Sequence, residues 1–452
     1  MSMMRLSEAA AMLGMPFAGP DVGVLRVSTD SRTIQPGDLF VALRGERFDG
    51  GAYAAQALQQ GAAGVVLDAA QAPEITAAIR VDDTRLALGR LAAAWRQRFA
   101  IPVVAITGSN GKTTVKEMLA AILRAEAATE DAVLATEGNL NNDIGLPLML
   151  LRLRETHRYA VLEMGMNHAG EIDYLTRLAR PDVALVNNAL SAHIGMLGSV
   201  ENIARAKGEI FNGLADAGSA VFNADDAHAW LWREANARRR IIDFGLQQPA
   251  AVCGRYQPAG FGAALSLRLP NATLDIALQV PGEHNVMNAL AAAAAAFALD
   301  VSHRSIVAGL SDFTGVKGRL QRKPALHGCT FIDDTYNANP DSVKAALAVL
   351  AQQAGKKVLV LGDMGELGDD AAAMHAQIGL AARAAGVDRL LALGELAKET
   401  VVAFGAGAMH FERIQELLAE LENELTPDTT VLVKGSRFMQ MERVVKSFTE
   451  GH

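Results

Sequence analysis

Cysteine is scarce in this chain of 452 residues, which contains only Cys253 and Cys329. The two residues lie far apart, and neither belongs to a CxxC or Cys/His spacing. The sequence therefore predicts neither a disulfide framework nor a structural zinc site. We expect both side chains to be buried thiols.

The chain also lacks long apolar runs and an excess of positive charge. Its longest apolar stretch, 286–299, is rich in alanine, contains Asn288, and is shorter than the about 20 residues that a membrane span requires. We expect it to form a core helix. Segment 1–14 lacks the shape of a signal peptide, so we expect a cytoplasmic location. With 42 basic and 50 acidic residues the formal net charge is -8, which argues against a general nucleic-acid binder.

The composition is otherwise that of a globular protein, with 50% hydrophobic and 20% charged residues. At about 150 residues per domain, the length suggests about three domains. No internal repeat of fixed period is present.

From about residue 101, short β-branched runs alternate with helical patterns, which indicates βα units on a parallel sheet. The predicted strands are 101–107, 159–164, 183–188 and 220–223, and the predicted helices include 113–125, 171–179 and 200–214. Because crossovers are right-handed, the loops after these strands should meet at one edge of the sheet, where ligands bind.

A second αβ series indicates a separate doubly wound domain. Its predicted strands are 330–333, 357–361, 389–393, 409–411 and 430–434. Between the two series, 250–280 alternates apolar and polar residues, which predicts an antiparallel appendage of the central sheet. The segment before Asp83 has turn signals between short apolar runs and indicates a small α/β domain. We therefore expect an α/β protein with domains at 1–83, 84–315 and 316–452.

The strongest local motif lies between a predicted strand and a predicted helix: Thr107-Gly108-Ser109-Asn110-Gly111-Lys112-Thr113-Thr114. Glycines let the backbone N–H groups face phosphate oxygens, Lys112 can reach the terminal phosphates, and Thr113 offers a hydroxyl to magnesium. The motif is GxxGKT rather than GxxxxGK[ST], because Ile106 occupies the first position of the common form. We interpret it as an ATP-binding P-loop, and a glycine-rich turn without a ligand is the alternative.

Two further side chains follow successive strands of the same predicted sheet. Glu163 stands near the end of strand 159–164, and His193 lies just past strand 183–188. Considered alone, each of them could equally well be an ordinary surface residue. Their shared position at the carboxyl edge favours magnesium binding by Glu163, and metal binding or proton transfer by His193.

Two other segments have both a structural and a functional interpretation. Segment 136–145, with Asn142, is either a turn or a source of phosphate and magnesium-water contacts. Segment 333–340 is either a capped turn or a loop that faces nucleotide or substrate. Lys207, in the predicted helix 200–214, would by itself be a solvated surface lysine.

Together these motifs resemble the Mur ligase family, the ATP-dependent amide-forming enzymes that build the peptidoglycan stem peptide. The GxxGKT loop is the family's own form. Segments 136–145, 163–165, 333–340 and 361–368 are most similar to the members that join D-alanyl-D-alanine to UDP-N-acetylmuramoyl-tripeptide. The resemblance covers essentially the whole chain. It implies an N-terminal UDP-substrate-binding domain, a central ATP-binding domain and a C-terminal Rossmann-like domain that brings in the amino substrate.

The resemblance also implies roles for individual residues. Thr113, Glu163 and His193 would bind magnesium, and Lys207 would be carbamylated to act in catalysis beside Lys112. Besides the P-loop, the residues expected at ATP are Asn285, Asn288, Arg319 and Asp334. The residues expected at the substrates are Ser28, Ser31, Arg32, Arg44, Asn142, Asn337 and Asn339.

Two alternatives remain open at this point. One is another amide ligase of the same build, such as the enzyme that adds the preceding diamino acid or folylpolyglutamate synthase, although segments 333–340 and 361–368 argue against it. The other is a nucleotide-dependent switch or transport ATPase, which hydrolyses ATP without forming a bond. We expect ATP and Mg²⁺ as cofactors, two small-molecule substrates, no nucleic acid, no membrane insertion, and a monomer.

Overall fold

The computed structural model describes residues 2–45, 48–71, 75–190 and 194–449. Within these residues, three main sheets follow one another along the chain, and each is covered by helices. The predicted α/β class is confirmed.

The first sheet consists of four short parallel strands near the N-terminus. The strands of this region are β1 (Met4–Arg5), β2 (Gly23–Val24), β3 (Arg26–Ser28), β4 (Asp38–Val41), β5 (Arg44–Gly45), β6 (Phe48–Asp49), β7 (Gly64–Asp68) and β8 (Ala78–Val81). Its helices are α1 (Leu6–Leu13), α2 (Ala54–Gln59) and α3 (Thr84–Arg96). The sheet order is β3-β4-β7-β8. Asp83 caps helix α3, because its carboxylate accepts the N–H groups of Arg85 and Leu86.

The second sheet has nine strands and contains the predicted P-loop. Its strands are β9 (Val103–Thr107), β10 (Val133–Ala135), β11 (Tyr159–Glu163), β12 (Val183–Val186), β13 (Ser219–Asn223), β14 (Arg240–Gly245), β15 (Val252–Ala259), β16 (Gly262–Leu269) and β17 (Ala272–Leu278). The helices are α4 (Lys112–Ala127), α5 (Gly145–Leu150), α6 (Glu171–Ala179), α7 (Ile194–Leu197), α8 (Val200–Gly208), α9 (Ala229–Ala235), α10 (Glu283–Ala298) and α11 (His303–Ser311). The sheet order is β10-β11-β9-β12-β13-β14-β15-β16-β17.

Strands β10 to β14 are parallel, whereas β15, β16 and β17 form an antiparallel meander. The predicted antiparallel appendage is therefore confirmed. The sequence patterns do not predict β10 and β14. Strand β10 has only three residues, and β14 contains the charged residues Arg240 and Asp243. Asp243 is nevertheless buried, because it accepts hydrogen bonds from Ala251 N and from Arg233.

The alanine-rich stretch forms α10, a core helix as predicted. Alanines 291 to 296 have no exposed surface. Small side chains let α10 pack closely against α4 and β14.

Across the described ranges, no helix combines the length and the apolar character needed to cross a membrane. Of the two unpaired cysteines, Cys329 is buried as expected, whereas Cys253 on β15 is only half-buried.

The third sheet belongs to the C-terminal region. Its strands are β18 (Gln321–Pro324), β19 (Thr330–Asp334), β20 (Lys356–Gly362), β21 (Arg389–Leu393), β22 (Ala408–Phe411) and β23 (Thr429–Lys434). Its helices are α12 (Pro340–Ala351), α13 (Ala371–Ala384), α14 (Ala397–Phe404), α15 (Ile414–Glu424) and α16 (Glu442–Thr449). The order is β18-β19-β23-β20-β21-β22, parallel except for β18. The last strand thus lies between β19 and β20 and brings its end beside theirs.

Candidate active site

A cleft of about 1500 Å³ is lined by both the central and the C-terminal regions. Its walls are the P-loop, the segments that follow β12 and β13, the start of α10, and the segments that follow β19, β20 and β23. Carboxyl ends of parallel strands from two sheets therefore face one space. This is where α/β sheets bind ligands.

The P-loop joins β9 to α4 and has the conformation that its glycines permit. Gly111 precedes α4 with φ of 80°, and a Cβ at this position would collide with the amides of Asn187 and Asn288. Lys112 Nζ folds back and donates to Gly108 O over 2.6 Å. Burial lowers the pKa of Lys112, and the negative charge of Glu163 opposes that shift. Among the residues that the structure describes, no carboxylate is bonded to Lys112.

Glu163 ends β11 and faces the P-loop, as the sequence predicts. One carboxylate oxygen, Oε2, accepts a 2.8 Å hydrogen bond from Thr113 Oγ1, and the other, Oε1, accepts one of 2.8 Å from Asn141 Nδ2. The side chain is almost completely buried. A buried carboxylate beside a hydroxyl offers hard oxygen ligands.

These oxygens fit magnesium. Mg²⁺ binds to proteins through one or two carboxylates and completes its shell with phosphate oxygens and water. The described residues contain no cluster of three or more His, Cys, Asp or Glu side chains that could form a cage for a metal ion. His193 lies outside the described residues.

Two asparagines, Asn187 and Asn188, bond directly to the P-loop, and two more, Asn288 and Asn285, extend the network. Asn188 Oδ1 accepts from Asn110 N over 2.9 Å, and Asn187 Nδ2 donates 3.0 Å bonds to Asn110 O and Asn288 Oδ1. Asn288 Nδ2 in turn donates to Asn285 Oδ1 over 3.1 Å. The sequence patterns miss Asn187 and Asn188, because the predicted strand 183–188 runs through them. The observed strand β12 ends at Val186, so both asparagines belong to the loop.

The C-terminal region contacts the P-loop directly. Arg319 donates a 2.9 Å hydrogen bond to Thr113 Oγ1, and its guanidinium lies 4.3 Å from the centre of the Tyr336 ring. Among the described residues, its buried Nε has no hydrogen-bond partner. Asn339 Nδ2 donates to Asn110 Oδ1 over 2.8 Å, while Asn339 Oδ1 caps α12. An unsatisfied guanidinium N–H beside a P-loop suits a phosphate oxygen.

Asp334 also lines the cleft, but it already has a cationic partner. Lys434 Nζ at the end of β23 donates to Asp334 Oδ2 over 2.6 Å and to Asn337 O over 2.8 Å. Lys434 is buried. The sequence patterns miss it, since nothing local shows that β23 lies beside β19.

Lys207 is buried in α8, with 2% of its surface exposed. The solvated-lysine alternative is therefore wrong. Burial lowers its pKa well below the usual value, and the nearby charge of Lys112 adds to the shift. Within the described part of the chain, Lys207 forms no ion pair. Both effects disfavour the protonated form of the amine.

The remaining candidates are more scattered. Asn142 is exposed and accepts the N–H of Gly145 at the start of α5, whereas its neighbour Asn141 contacts Glu163. Asn337 is exposed and lines the cleft.

The four N-terminal candidates occupy the first sheet and its loops, outside the cleft lining. Ser28 and Ser31 are buried. Arg32 pairs with Asp30 at 2.7 Å, and Arg44 lies 3.6 Å from Asp68. The structure brings these four residues into one region but not to the P-loop.

Known sequences place the chain in a family. Its residues 24–96 match the Mur ligase family catalytic domain, 106–296 the Mur ligase middle domain, and 318–437 the Mur ligase glutamate ligase domain. It is 43% identical over 450 residues, 98% of each chain, to the UDP-N-acetylmuramoyl-tripeptide--D-alanyl-D-alanine ligase of Escherichia coli. The chain belongs to the Mur ligase family.

Solved structures of Mur ligases agree with this membership. A crystal structure of MurF from Acinetobacter baumannii has a TM-score of 0.91 at 39% identity, over 98% of both chains. MurF ligase from Thermotoga maritima, solved in complex with ADP, has a TM-score of 0.83 at 26% identity, over 93% of this chain and 96% of that one. The three-domain Mur ligase architecture implied by the sequence is therefore confirmed.

Proposed function

We infer that this chain is an ATP-dependent ligase that joins D-alanyl-D-alanine to UDP-N-acetylmuramoyl-tripeptide in peptidoglycan precursor synthesis. The observation that carries the inference is the 43% identity, over nearly the full length of both chains, to an enzyme of that name. The cleft agrees with it, because a ligase must hold an activated acyl group and an incoming amine together. A P-loop faces segments of a second α/β domain across one space.

The reaction has two steps. The terminal carboxylate of the tripeptide attacks the γ-phosphorus of ATP, which forms an acyl phosphate and releases ADP. The amine of the dipeptide then attacks the acyl carbon, phosphate leaves with the C–O electron pair, and the amine loses a proton. The charges of Lys112 and Arg319 and the P-loop N–H groups offset the repulsion between the two anions and stabilise the transferred phosphoryl group.

We propose that Thr113 and Glu163 hold Mg²⁺, with His193 as a further ligand. When bound, the ion supplies positive charge to the phosphate oxygens. Asn141 fixes one carboxylate oxygen of Glu163, so the other is left oriented toward Thr113. Asn285 and Asn288 are proposed to approach the base, and Asp334 the ribose or phosphates from the C-terminal side.

Lys207 is proposed to be carbamylated. A neutral amine adds to carbon dioxide and loses a proton, which gives an N-carboxylate with hard oxygen donors. Burial and the charge of Lys112 favour the neutral amine that this addition requires. The resulting anion also replaces an unfavourable interaction with Lys112 by a favourable one.

The domain boundaries after residues 83 and 315 are likewise proposals. Asp83 caps the helix that leads out of the first sheet, and Gly315, with φ of 105°, precedes the segment that bears Arg319.

We assign UDP-substrate binding to the first domain, through Ser28, Ser31, Arg32 and Arg44. Asn142, Asn337 and Asn339 would contact the peptide portions. A cytoplasmic monomer remains our expectation.

ADP release in a coupled assay tests the function. We expect release only when UDP-N-acetylmuramoyl-tripeptide and D-alanyl-D-alanine are both present, with one amide formed per ADP. Release with a UDP-linked dipeptide and a diamino acid, or with a folate and glutamate, would indicate another ligase of this build. Release without any acceptor would indicate an ATPase.

A further inference from the structure

Lys116 is a buried lysine on the P-loop helix, one turn after the half-buried Lys112. Only 2% of its surface is exposed. Its Nζ donates a 2.6 Å hydrogen bond to the carbonyl of Thr136 and contacts the carboxylate of Glu117. It does not line the cleft, and the chemistry above does not use it. Burying an ammonium is costly, so its position requires an explanation.

The partner of Lys116 lies where the ladder between β10 and β11 stops. Ala135 pairs with Val161, and Thr136 N donates to Val161 O over 3.0 Å. In a continuing parallel ladder, the N–H of Glu163 would next bond to the carbonyl of Thr136. Instead that N–H bonds to Thr136 Oγ1 over 2.9 Å, and the carbonyl points to Lys116. The hydroxyl of Thr136 thus takes the place of its carbonyl as the acceptor for the N–H of Glu163. The carbonyl is left free to accept the hydrogen bond from Lys116.

This exchange directs the chain after Thr136 across the end of β11. The segment that follows returns Asn141 to Glu163, where its Nδ2 donates to Oε1 over 2.8 Å and its carbonyl accepts Gly165 N over 2.8 Å. Thr136 and Asn141 therefore hold the backbone N–H and the carboxylate of Glu163, respectively. Lys116 ties this arrangement to the helix that begins at Lys112.

We propose that Lys116 is a positioning residue that acts through Thr136 to keep the carboxylate of Glu163 directed at Thr113. The proposal rests on the proposed function in one respect, namely that Thr113 and Glu163 hold Mg²⁺ with the nucleotide. A cation is suited to this position because it donates several hydrogen bonds at once and reaches both the Thr136 carbonyl and Glu117.

Calorimetric binding of ADP with and without Mg²⁺ tests the proposal. Lys116→Met keeps the length of the side chain and removes its donors. We expect the gain in ADP affinity on adding Mg²⁺ to fall about 10- to 100-fold, the usual effect of losing a residue that supports a metal ligand. ADP affinity without Mg²⁺ should stay at the wild-type value, and KM for either substrate should not change.

Thr136→Val disrupts the same arrangement, because it removes the hydroxyl that accepts the N–H of Glu163. We expect a similar loss of the Mg²⁺-dependent gain in ADP affinity. The double variant should lose no more of this gain than the more strongly affected single variant, because both substitutions act on one arrangement. Met118→Ala is the matched control, since Met118 is buried on the same helix. It should lower the melting temperature and leave the Mg²⁺-dependent gain unchanged. Glu117→Gln should also leave that gain unchanged.

A folded Lys116→Met protein with a wild-type Mg²⁺-dependent gain would overturn the proposal and leave Lys116 as a structural support. Should Lys116→Met not fold, a wild-type gain in Thr136→Val would overturn it equally. Failure of the proposed function is a separate result. It would be seen as wild-type protein that binds ADP with Mg²⁺ but forms no amide.

Discussion

Arg319 donates a 2.9 Å hydrogen bond to the hydroxyl of Thr113, although 206 residues separate them in the sequence. The same hydroxyl donates to Glu163 over 2.8 Å. One oxygen atom thus links the P-loop, the carboxylate at the end of β11 and the C-terminal region. We therefore propose that a nucleotide bound at Thr113 also contacts Arg319.

Replacement of Arg319 should therefore weaken ATP binding and slow the reaction. We expect Arg319→Ala to raise KM for ATP and to lower kcat at least tenfold, since the charge that we propose to contact phosphate is lost. Arg319→Lys should recover only part of either parameter, because an ammonium lacks the planar guanidinium that lies over the Tyr336 ring. Steady-state kinetics with ATP varied would measure both, and full activity of the lysine variant would contradict this role.

Lys112→Ala should abolish ligation without unfolding the protein. Within the described ranges, the side chain bonds only to P-loop carbonyls, so its loss removes charge from the cleft and little packing. Circular dichroism would report the fold and ADP release the activity. Ile106→Val is the control in the preceding strand and should stay active. Near-normal turnover of folded Lys112→Ala would exclude the P-loop assignment.

Lys207 offers a chemical test of carbamylation. We expect Lys207→Ala to lose most activity and to regain part of it when a short carboxylate such as acetate is added. Lys207→Arg should stay inactive, because a guanidinium does not form the carbamate. Mass spectrometry after trapping of the carbamate would give a readout apart from activity. Full activity of Lys207→Arg would show that no carbamate is needed.

Asn339 combines a helix cap with a contact to the P-loop. Asn339→Ala should cost about 1 kcal/mol of stability through loss of the cap and should also raise KM for ATP, because the bond to Asn110 is lost. Asp83→Ala removes the cap of α3, outside the cleft. It should lower stability by a similar amount and leave KM for ATP unchanged. Equal KM values in the two variants would show that the contact with Asn110 is dispensable.

His284 should make the protein sensitive to acid. Burial lowers its pKa from 6.5 to about 4, more than nearby Asp334 raises it. The unfolded chain binds this proton more readily, so stability should rise with pH between about 4 and 6.5 and fall as the solution is acidified. Urea unfolding at pH 7 and pH 5 would show a smaller difference for His284→Gln than for wild type. Equal differences would argue against a neutral His284.

Much of the site could be predicted because its central residues are contiguous or end predicted strands. The GxxGKT motif and Glu163 are of this kind. The roles of Arg319 and Asp334 could be predicted only through the family resemblance, since no local pattern connects them to residue 113. Lys434 could not be predicted, because its position depends on the insertion of β23 between β19 and β20.

Burial was the other property that local patterns did not reveal. A single amphipathic helix does not show whether Lys207 faces solvent or a second lysine. The same holds for Lys116, whose partner carbonyl becomes available only because the ladder beside it ends at Thr136. Short or charged strands such as β10 and β14 escaped prediction because neighbouring strands, and not their own composition, stabilise them.

The pairing of Asn110 with Asn339 has a consequence for biosynthesis. The two residues are 229 positions apart, so a ribosome releases the P-loop long before its partner. Until residue 319 has been translated, the nascent chain has β9 and α4 but lacks every contribution from the C-terminal sheet. A nascent or truncated polypeptide that ends before Arg319 therefore lacks one wall of the ATP cleft, and ligation has to wait until translation has delivered β23.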